Sequence, residues 1–217
     1  MVLVPLEIIE TPNSDHFCTS LTYQSIYAVN FRTPSTLAIA LGANLPSQAG
    51  SPIATLKTVK PMIEKLICEW IQSFVEPKKK ISSIESNLQF NWSPLYQTNP
   101  IGGPENQPLY INAGLIIRGN ALSDLTPSSL AAENLLERFL KIEKQFGRDR
   151  DISKIRWSAR SLDIDLIAWS DLQIKNAKLI LPHPRFIERD FVIIPLAAAM
   201  QKNSVGVKQI PEQRDWC

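Results

Sequence analysis

Cysteine is scarce in this chain of 217 residues. Cys18, Cys68 and Cys217 are odd in number and far apart, which excludes a disulfide framework and the paired spacing of a thiolate zinc site. No apolar run reaches the ~20 residues that a bilayer-spanning helix needs. The N-terminus lacks a basic start leading into a hydrophobic stretch, and Glu7, Glu10 and Asp15 argue against a transit peptide. A soluble, cytoplasmic protein is expected. Low-complexity tracts and long repeats are absent, and so is a strong charge of either sign. The formal charge of +2 is too small for a broad surface against nucleic acid, so no nucleic-acid or membrane partner is expected. The compact lysine run "EPKKK" at 76–80 reads as a solvated loop. Neither a G-x-x-x-x-G-K-[ST] phosphate loop nor a protein-kinase HRD or DFG set occurs. Any phosphate chemistry must therefore rest on individually placed side chains.

What is present is ordinary globular composition, 44% hydrophobic and 20% charged, in a chain long enough to bury about two-thirds of its unfolded surface. Residues 1–35 show some alternation, as in "LTYQSIYAVNF", but Pro5, Pro12 and Pro34 interrupt them. They read as a flexible appendage to a domain over 36–217. "TLAIALG" is the first clear strand. A helix follows, with Ser51 as N-cap, Pro52 at the first position and an apolar stripe of Ile53, Leu56, Val59, Ile63, Leu66, Ile67 and Trp70; Pro61 should kink or divide it. "LQFNWSPLYQT" and "YINAGLIIRG" are strands around the irregular loop "NPIGGPENQP". Thr126 and Pro127 cap a second helix, striped by Leu135, Leu136, Phe139, Leu140, Ile142 and Phe146 and stopped at Gly147. A basic loop and a last strand complete the order strand, helix, strand, strand, helix, strand. This predicts an α+β, ferredoxin-like sandwich: an antiparallel sheet with two main helices on one face, and C-terminal helical additions in "LPHPRFIERDFVIIPLAAAM" packed on the end of the core.

The last strand lies in "RWSARSLDIDLI", residues 156–167. Leu162, Ile164 and Leu166 alternate with Asp163 and Asp165, so the aliphatic side chains share the core face and the two carboxylates share the other. Like charges so close raise each other's proton affinity unless a cation lies between them, and a divalent ion is the usual remedy. Two solvated aspartates on an exposed strand face would satisfy the same pattern. Arg148, Arg150, Arg156, Arg160 and Arg189, with His183, tilt the reading toward a metal-bound polyphosphate, because guanidinium forks match phosphate oxygens and Mg²⁺ prefers carboxylate and phosphate ligands. On these residues alone two other readings stay open. One is a two-metal phosphohydrolase or nuclease. The other is an RNA-binding module using its open sheet face, which would call for aromatics and lysines there.

"RWSARSLDIDLI", preceded in order by "ALGANL" and "SPLYQTNPIGGPENQPLYINA" and followed by "LPHPRFIERDF", resembles the signature segments of the 6-hydroxymethyl-7,8-dihydropterin pyrophosphokinase family. The resemblance covers about residues 37–200. It implies a ferredoxin-like fold, transfer of pyrophosphate from ATP to the pterin hydroxymethyl with release of AMP, two Mg²⁺ ions bound by Asp163 and Asp165, and a monomer acting in folate biosynthesis. It implies ATP contacts from Glu143, Arg148, Arg156, Trp157, Arg160, His183 and Arg189, with Arg148 and Arg160 nearest the transferred group. For the pterin it implies stacking by Tyr110 and Phe191, edge recognition by Asn112, and a pocket wall from Thr98 and Ile101. The charged segment from Arg148 to Trp157 is expected to close over bound nucleotide.

Overall fold

The computed structural model describes residues 8–9, 35–75, 80–148, 157–200 and 216. A short strand β1 (Ile8–Ile9) precedes β2 (Thr36–Ala43), the long helix α1 (Pro52–Phe74) and the single turn α2 (Ile81–Glu85). Strands β3 (Gln89–Trp92), β4 (Tyr96–Thr98) and β5 (Tyr110–Arg118) follow, then α3 (Asn120–Ser123) and α4 (Ser129–Gln145). Strand β6 (Asp163–Trp169), the small pair β7 (Ile174–Lys175) and β8 (Ile180–Leu181), and α5 (Asp190–Met200) complete the described order.

The main sheet runs β1-β4-β5-β2-β6, with β3 also on β5. Every pair is antiparallel except β1 with β4. The α+β sandwich expected from the element order is therefore present. Within the 1–35 segment, Ile8–Ile9 runs parallel to β4; the remainder of the expected appendage, up to residue 34, lies outside the described residues.

Strand β2 explains the layering. Its large residues Leu37, Ile39 and Leu41 join one core with α1 and α4, whereas its small residues Ala38 and Ala40 join a second core. In the first core Trp70 and Trp169 meet edge-on at 5.1 Å, and the Trp70 indole donates to the Ala131 carbonyl at 2.9 Å, which gives its buried N–H a partner. The second core holds Ile116, Ile167, Val192, Leu196 and Ala199. Helix α5 thus covers the opposite face of the sheet, where the sequence led us to expect it on the end of the core. The helix is apolar nearly all round, so periodicity could not tell which way it would turn. The small residues of β2 and β5 admit it: a Cβ on Gly114 would lie 2.7 Å from the backbone of Pro195 and Leu196.

Three local expectations change. Pro61 does not divide α1, which is continuous. Pro61 is exposed, so water can serve the carbonyl that proline cannot reach, while buried Val59 and Ile63 hold both halves in the core. Helix α4 is capped by Ser128, whose hydroxyl accepts from the Ala131 N–H at 3.3 Å, two residues later than the Thr126 cap expected. "LQFNWSPLYQT" forms two strands, because the Ser93 hydroxyl accepts the Gly114 N–H at 2.9 Å and Pro94 cannot donate to the ladder. The Ser51 cap and Pro52 start of α1 are as expected, as is Gly147 at the end of α4, with a positive φ of 87°.

Candidate active site

Helix α5 shields only part of the second face. Beyond its N-terminal end the same face turns polar, and the strand register brings the polar groups into one row. Asp165 lies opposite Ala40 and Asp163 opposite Gly42; across β2, Gly42 is opposite Asn112, and on the next pair Thr98 is opposite Tyr110. With only an alanine and a glycine between the carboxylates and Asn112, the sheet leaves a hollow. A Cβ on Gly42 would approach Asn112 Oδ1 to 3.1 Å. The resulting cavity of about 240 Å³ is lined by Thr98, Ile101, Tyr110, Asn112, Trp157, Arg160, Asp163, Asp165, Arg189 and Phe191, among others. A larger open groove of about 550 Å³ between α1 and α4 has lysine, arginine and glutamate walls but no paired carboxylates of this kind.

Leu162, Ile164 and Leu166 are buried in the first core, so period two does what the sequence demanded, and Asp163 and Asp165 point together into the cavity. The aspartates differ in company. Asp163 accepts from Arg160 Nη1 at 2.7 Å, and its other oxygen accepts from Arg148 Nη1. Arg148 also donates to Glu143 Oε1 at 2.6 Å, and that oxygen receives the Ile164 N–H at 2.8 Å. Asp165 is different: burial, then the Asp163 and Glu143 charges, push its carboxyl up from 3.8 to about 7, with Arg148 and Arg189 opposing. Burial works against the Arg160 charge, but Asp163, Tyr110 and Asp165 together outweigh it and the guanidinium sits above its ordinary value. Burial, then the Arg189 charge, hold His183 below the usual imidazole range.

At the other end of the cavity Asn112 donates to Thr98 Oγ1 at 2.8 Å, leaving its carbonyl edge toward the hollow. The Tyr110 hydroxyl donates to the Ser158 carbonyl at 3.4 Å, and burial raises its proton affinity although Arg160 opposes this. Phe191 lies under the Arg189 guanidinium, 5.7 Å from the ring centre. The Trp157 ring rests on Gly102, where a Cβ would approach Cε3 to 2.9 Å, and carries Arg185 on it at 5.6 Å.

Ten of the expected site residues therefore share one cavity, and three of the described ones stand behind it. Glu143 is 1% exposed and spends its carboxylate on Arg148 and the β6 backbone, so it stands behind the cavity, where the resemblance implied an ATP contact. Arg148 reaches the site through Asp163, and the His183 backbone N–H donates to the Ile167 carbonyl at 2.7 Å. Arg156, and most of the loop expected to close, lie outside the described residues. Arg185 and Glu188 line the cavity and were not singled out beforehand, although "LPHPRFIERDF" contains both.

Among the described residues no cluster of three or more His, Cys, Asp or Glu side chains forms a self-sufficient metal cage. Two carboxylates on one strand face, one of them pushed up to about 7 by burial and by the Asp163 and Glu143 charges, fit Mg²⁺ brought in with a polyphosphate, which supplies the remaining oxygens. No helix among the described residues is long and apolar enough to cross a membrane.

The family of 7,8-dihydro-6-hydroxymethylpterin-pyrophosphokinase matches residues 38–201. A 2-amino-4-hydroxy-6-hydroxymethyldihydropteridine pyrophosphokinase of Synechocystis is 32% identical over 155 residues, 71% of this chain and 68% of that protein. Its counterpart in Bacillus subtilis is 36% identical over 110 residues, 51% of this chain and 58% of that protein. A folate synthesis bifunctional protein of Arabidopsis thaliana is 38% identical over 102 residues, 47% of this chain but 19% of its own length. The matched span begins in β2, ends beyond α5 and takes in both walls of the cavity, so the chain belongs to the 7,8-dihydro-6-hydroxymethylpterin-pyrophosphokinase family, enzymes that transfer pyrophosphate from ATP to hydroxymethyldihydropterin.

Proposed function

We propose that this chain carries out its family's pyrophosphoryl transfer in the cavity over β2, β5 and β6, with phosphate at the Asp163 end and pterin at the Asn112 end. The observation that carries the reading is the shared face: Asp163, Asp165, Asn112, Tyr110 and Phe191 line one hollow. A pterin is flat, uncharged and edged with donors and acceptors, so it suits Tyr110 and Phe191 against its faces and Asn112 and Thr98 at its edge, with Ile101 closing the wall. Arg160, Arg189 and Trp157 line the side where ATP phosphates and base would lie, and Arg148, His183 and Arg156 supply further cationic or hydrogen-bonding groups. In this reading Glu143 acts from behind, orienting Arg148.

Asp163 and Asp165 would hold two Mg²⁺ ions, which when bound supply charge neutralisation at the phosphate oxygens. The remaining work belongs to the side chains. Arg148 and Arg160, both bonded to Asp163, would exchange that partner for the oxygens of the transferred group, where charge-assisted forks stabilise the charge that builds on it. The hydroxymethyl oxygen, fixed through the stacked ring, attacks the β-phosphorus and AMP leaves, so catalysis is chiefly positioning and preorganised charge. We further assign the protein to the cytoplasm as a monomer, which sedimentation at micromolar concentration checks. The reaction is tested by incubation with ATP, Mg²⁺ and the reduced pterin and separation of AMP from ADP. Pterin-dependent AMP is expected; ADP, or AMP formed equally without pterin, overturns the reading.

A further inference from the structure

Asn44, just past the end of β2, is a polar side chain only 2% exposed. Its Oδ1 accepts the backbone N–H of Arg160 at 2.7 Å, and the Asn44 backbone N–H donates to the Arg160 carbonyl at 2.9 Å, a carbonyl that also takes the Leu45 N–H at 3.1 Å. The peptide groups of Arg160 are thus held from both sides. The other end of the amide, Nδ2, donates to the Pro108 carbonyl at 3.1 Å. Pro108 lies two residues before Tyr110, where β5 begins. One buried side chain therefore ties the root of Arg160 to the segment that delivers Tyr110 and Asn112. Only an amide offers an acceptor and a donor at this reach: aspartate keeps the acceptor and loses the donor, and alanine loses both.

We propose that Asn44 is a positioning residue for the transfer step, setting the separation between Arg160 and the wall that holds the pterin. The inference rests on the reading above, in which Arg160 faces the transferred group. With its backbone clamped and its guanidinium bonded to Asp163 at 2.7 Å, Arg160 can change partners at its tip while its Cα stays in register with β5. A nucleophile and phosphorus delivered by two different walls react only when those walls keep their spacing, and a displacement near 1 Å costs on the order of 100-fold in rate.

The test compares kcat and both KM values, read as AMP release, for Asn44→Ala, Asn44→Asp, Arg160→Ala and the double variant Asn44→Ala/Arg160→Ala. Asn44→Ala should lower kcat roughly 10- to 100-fold. In the Arg160→Ala background the same change should cost little more, because residues acting through one another do not lose activity independently. Asn44→Asp keeps the bond to Arg160 but turns an oxygen toward the Pro108 carbonyl, so it should raise the pterin KM by about 2- to 10-fold and leave the ATP KM unchanged. Losses that multiply in the double variant overturn the inference while leaving the Arg160 assignment standing. Wild-type kcat in Arg160→Ala overturns both. If Asn44→Ala is insoluble, Asn44→Asp decides, and a wild-type pterin KM there, or a changed ATP KM alone, overturns it.

Discussion

Replacing Gly114 with alanine inserts one methyl group between β5 and α5. Gly114 is not among the glycines with positive φ, so alanine can adopt its backbone and the whole cost is steric. The added carbon would sit 2.7 Å from Leu196 N and from the Pro195 carbonyl carbon, and 3.0 Å from Leu196 Cα. Comfortable carbon contacts begin at about 3.5–4.0 Å, so backbone on one side must give by roughly 1 Å. Overpacking of this kind costs about 1–3 kcal/mol. At about 2–4 °C per kcal/mol for a chain of this size, Tm should fall by roughly 2–12 °C. Because Arg189, Phe191 and Val192, at or near the start of α5, line the cavity, lifting the helix should also raise the pterin KM. Gly42→Ala is the internal control: its Cβ meets Asn112 Oδ1 at 3.1 Å and Tyr110 Cδ1 at 3.7 Å, both in the cavity wall, so it should weaken pterin binding with a smaller loss of Tm. Differential scanning fluorimetry with steady-state kinetics reads both effects. Wild-type Tm and pterin KM in Gly114→Ala would refute the claim that this contact seats the helix and its cavity residues.

Asp163→Asn and Asp165→Asn should each lower kcat by roughly 100-fold or more, as when preorganised electrostatic groups are removed from active sites; wild-type turnover in either folded variant sinks the phosphate-end assignment. In Mg²⁺-free buffer the raised Asp165 carboxyl favours the protonated native state, so stability present below pH 3.8 should be lost as pH rises through about 7. Thermal melts from pH 4 to 8 of wild type against Asp165→Asn check this, and a wild-type curve parallel to the variant's refutes it. Trp216, fully buried, packs edge-on against Trp92 at 5.1 Å and donates to the Ser93 carbonyl at 2.7 Å; Trp216→Ala should cost about 3–5 kcal/mol in denaturant unfolding, and a change below 1 kcal/mol counts against the anchor. Trp157, 38% exposed, should change fluorescence when a non-hydrolysable ATP analogue binds with Mg²⁺, and a change undiminished in Trp157→Phe removes it as the reporter.

The features legible in the sequence are those that short-range rules determine. Period-two alternation put Asp163 and Asp165 on one face because the strand has no other way to bury Leu162, Ile164 and Leu166. Ser51 with Pro52, and Gly147, marked helix ends through local hydrogen-bonding and φ requirements. The two ends of the cavity were readable only through ordered motifs, since Tyr110 and Phe191 would each pass for core residues by composition. What escaped depends on tertiary contact. Helix α5 was expected as a helical addition, but it is apolar on every side, so no stripe announced the face it covers. Ser128 displaced Thr126 as cap because the helix starts at Ser129, which leaves the Ser128 hydroxyl three residues before the Ala131 N–H it accepts. Asn44 stood in "ALGANL" with no role assigned to it; its three bonds join segments 64 and 116 residues away, and no local pattern records such distances.

Charge, finally, accounts for the unequal treatment of two aspartates on one strand. Both carboxylates face a cavity walled by buried strands, where an unscreened pair would be costly. At Asp163 the chain answers with cations, Arg160 on one oxygen and Arg148 on the other, and Arg148 is in turn steadied by the buried Glu143. At Asp165 the answer is a proton, its affinity raised toward neutrality. Both answers are reversible, and both give way to the same ligand. In the function proposed above, a polyphosphate arriving with Mg²⁺ would draw the guanidinium groups from Asp163, and the added positive charge would make the proton on Asp165 unnecessary. Ligand binding should therefore release close to one proton per site at pH 6, where Asp165 is mostly protonated, and far less at pH 8.5. Calorimetry in two buffers of different ionisation enthalpy measures that difference, and an equal proton release at the two pH values would refute the assignment of the proton to Asp165.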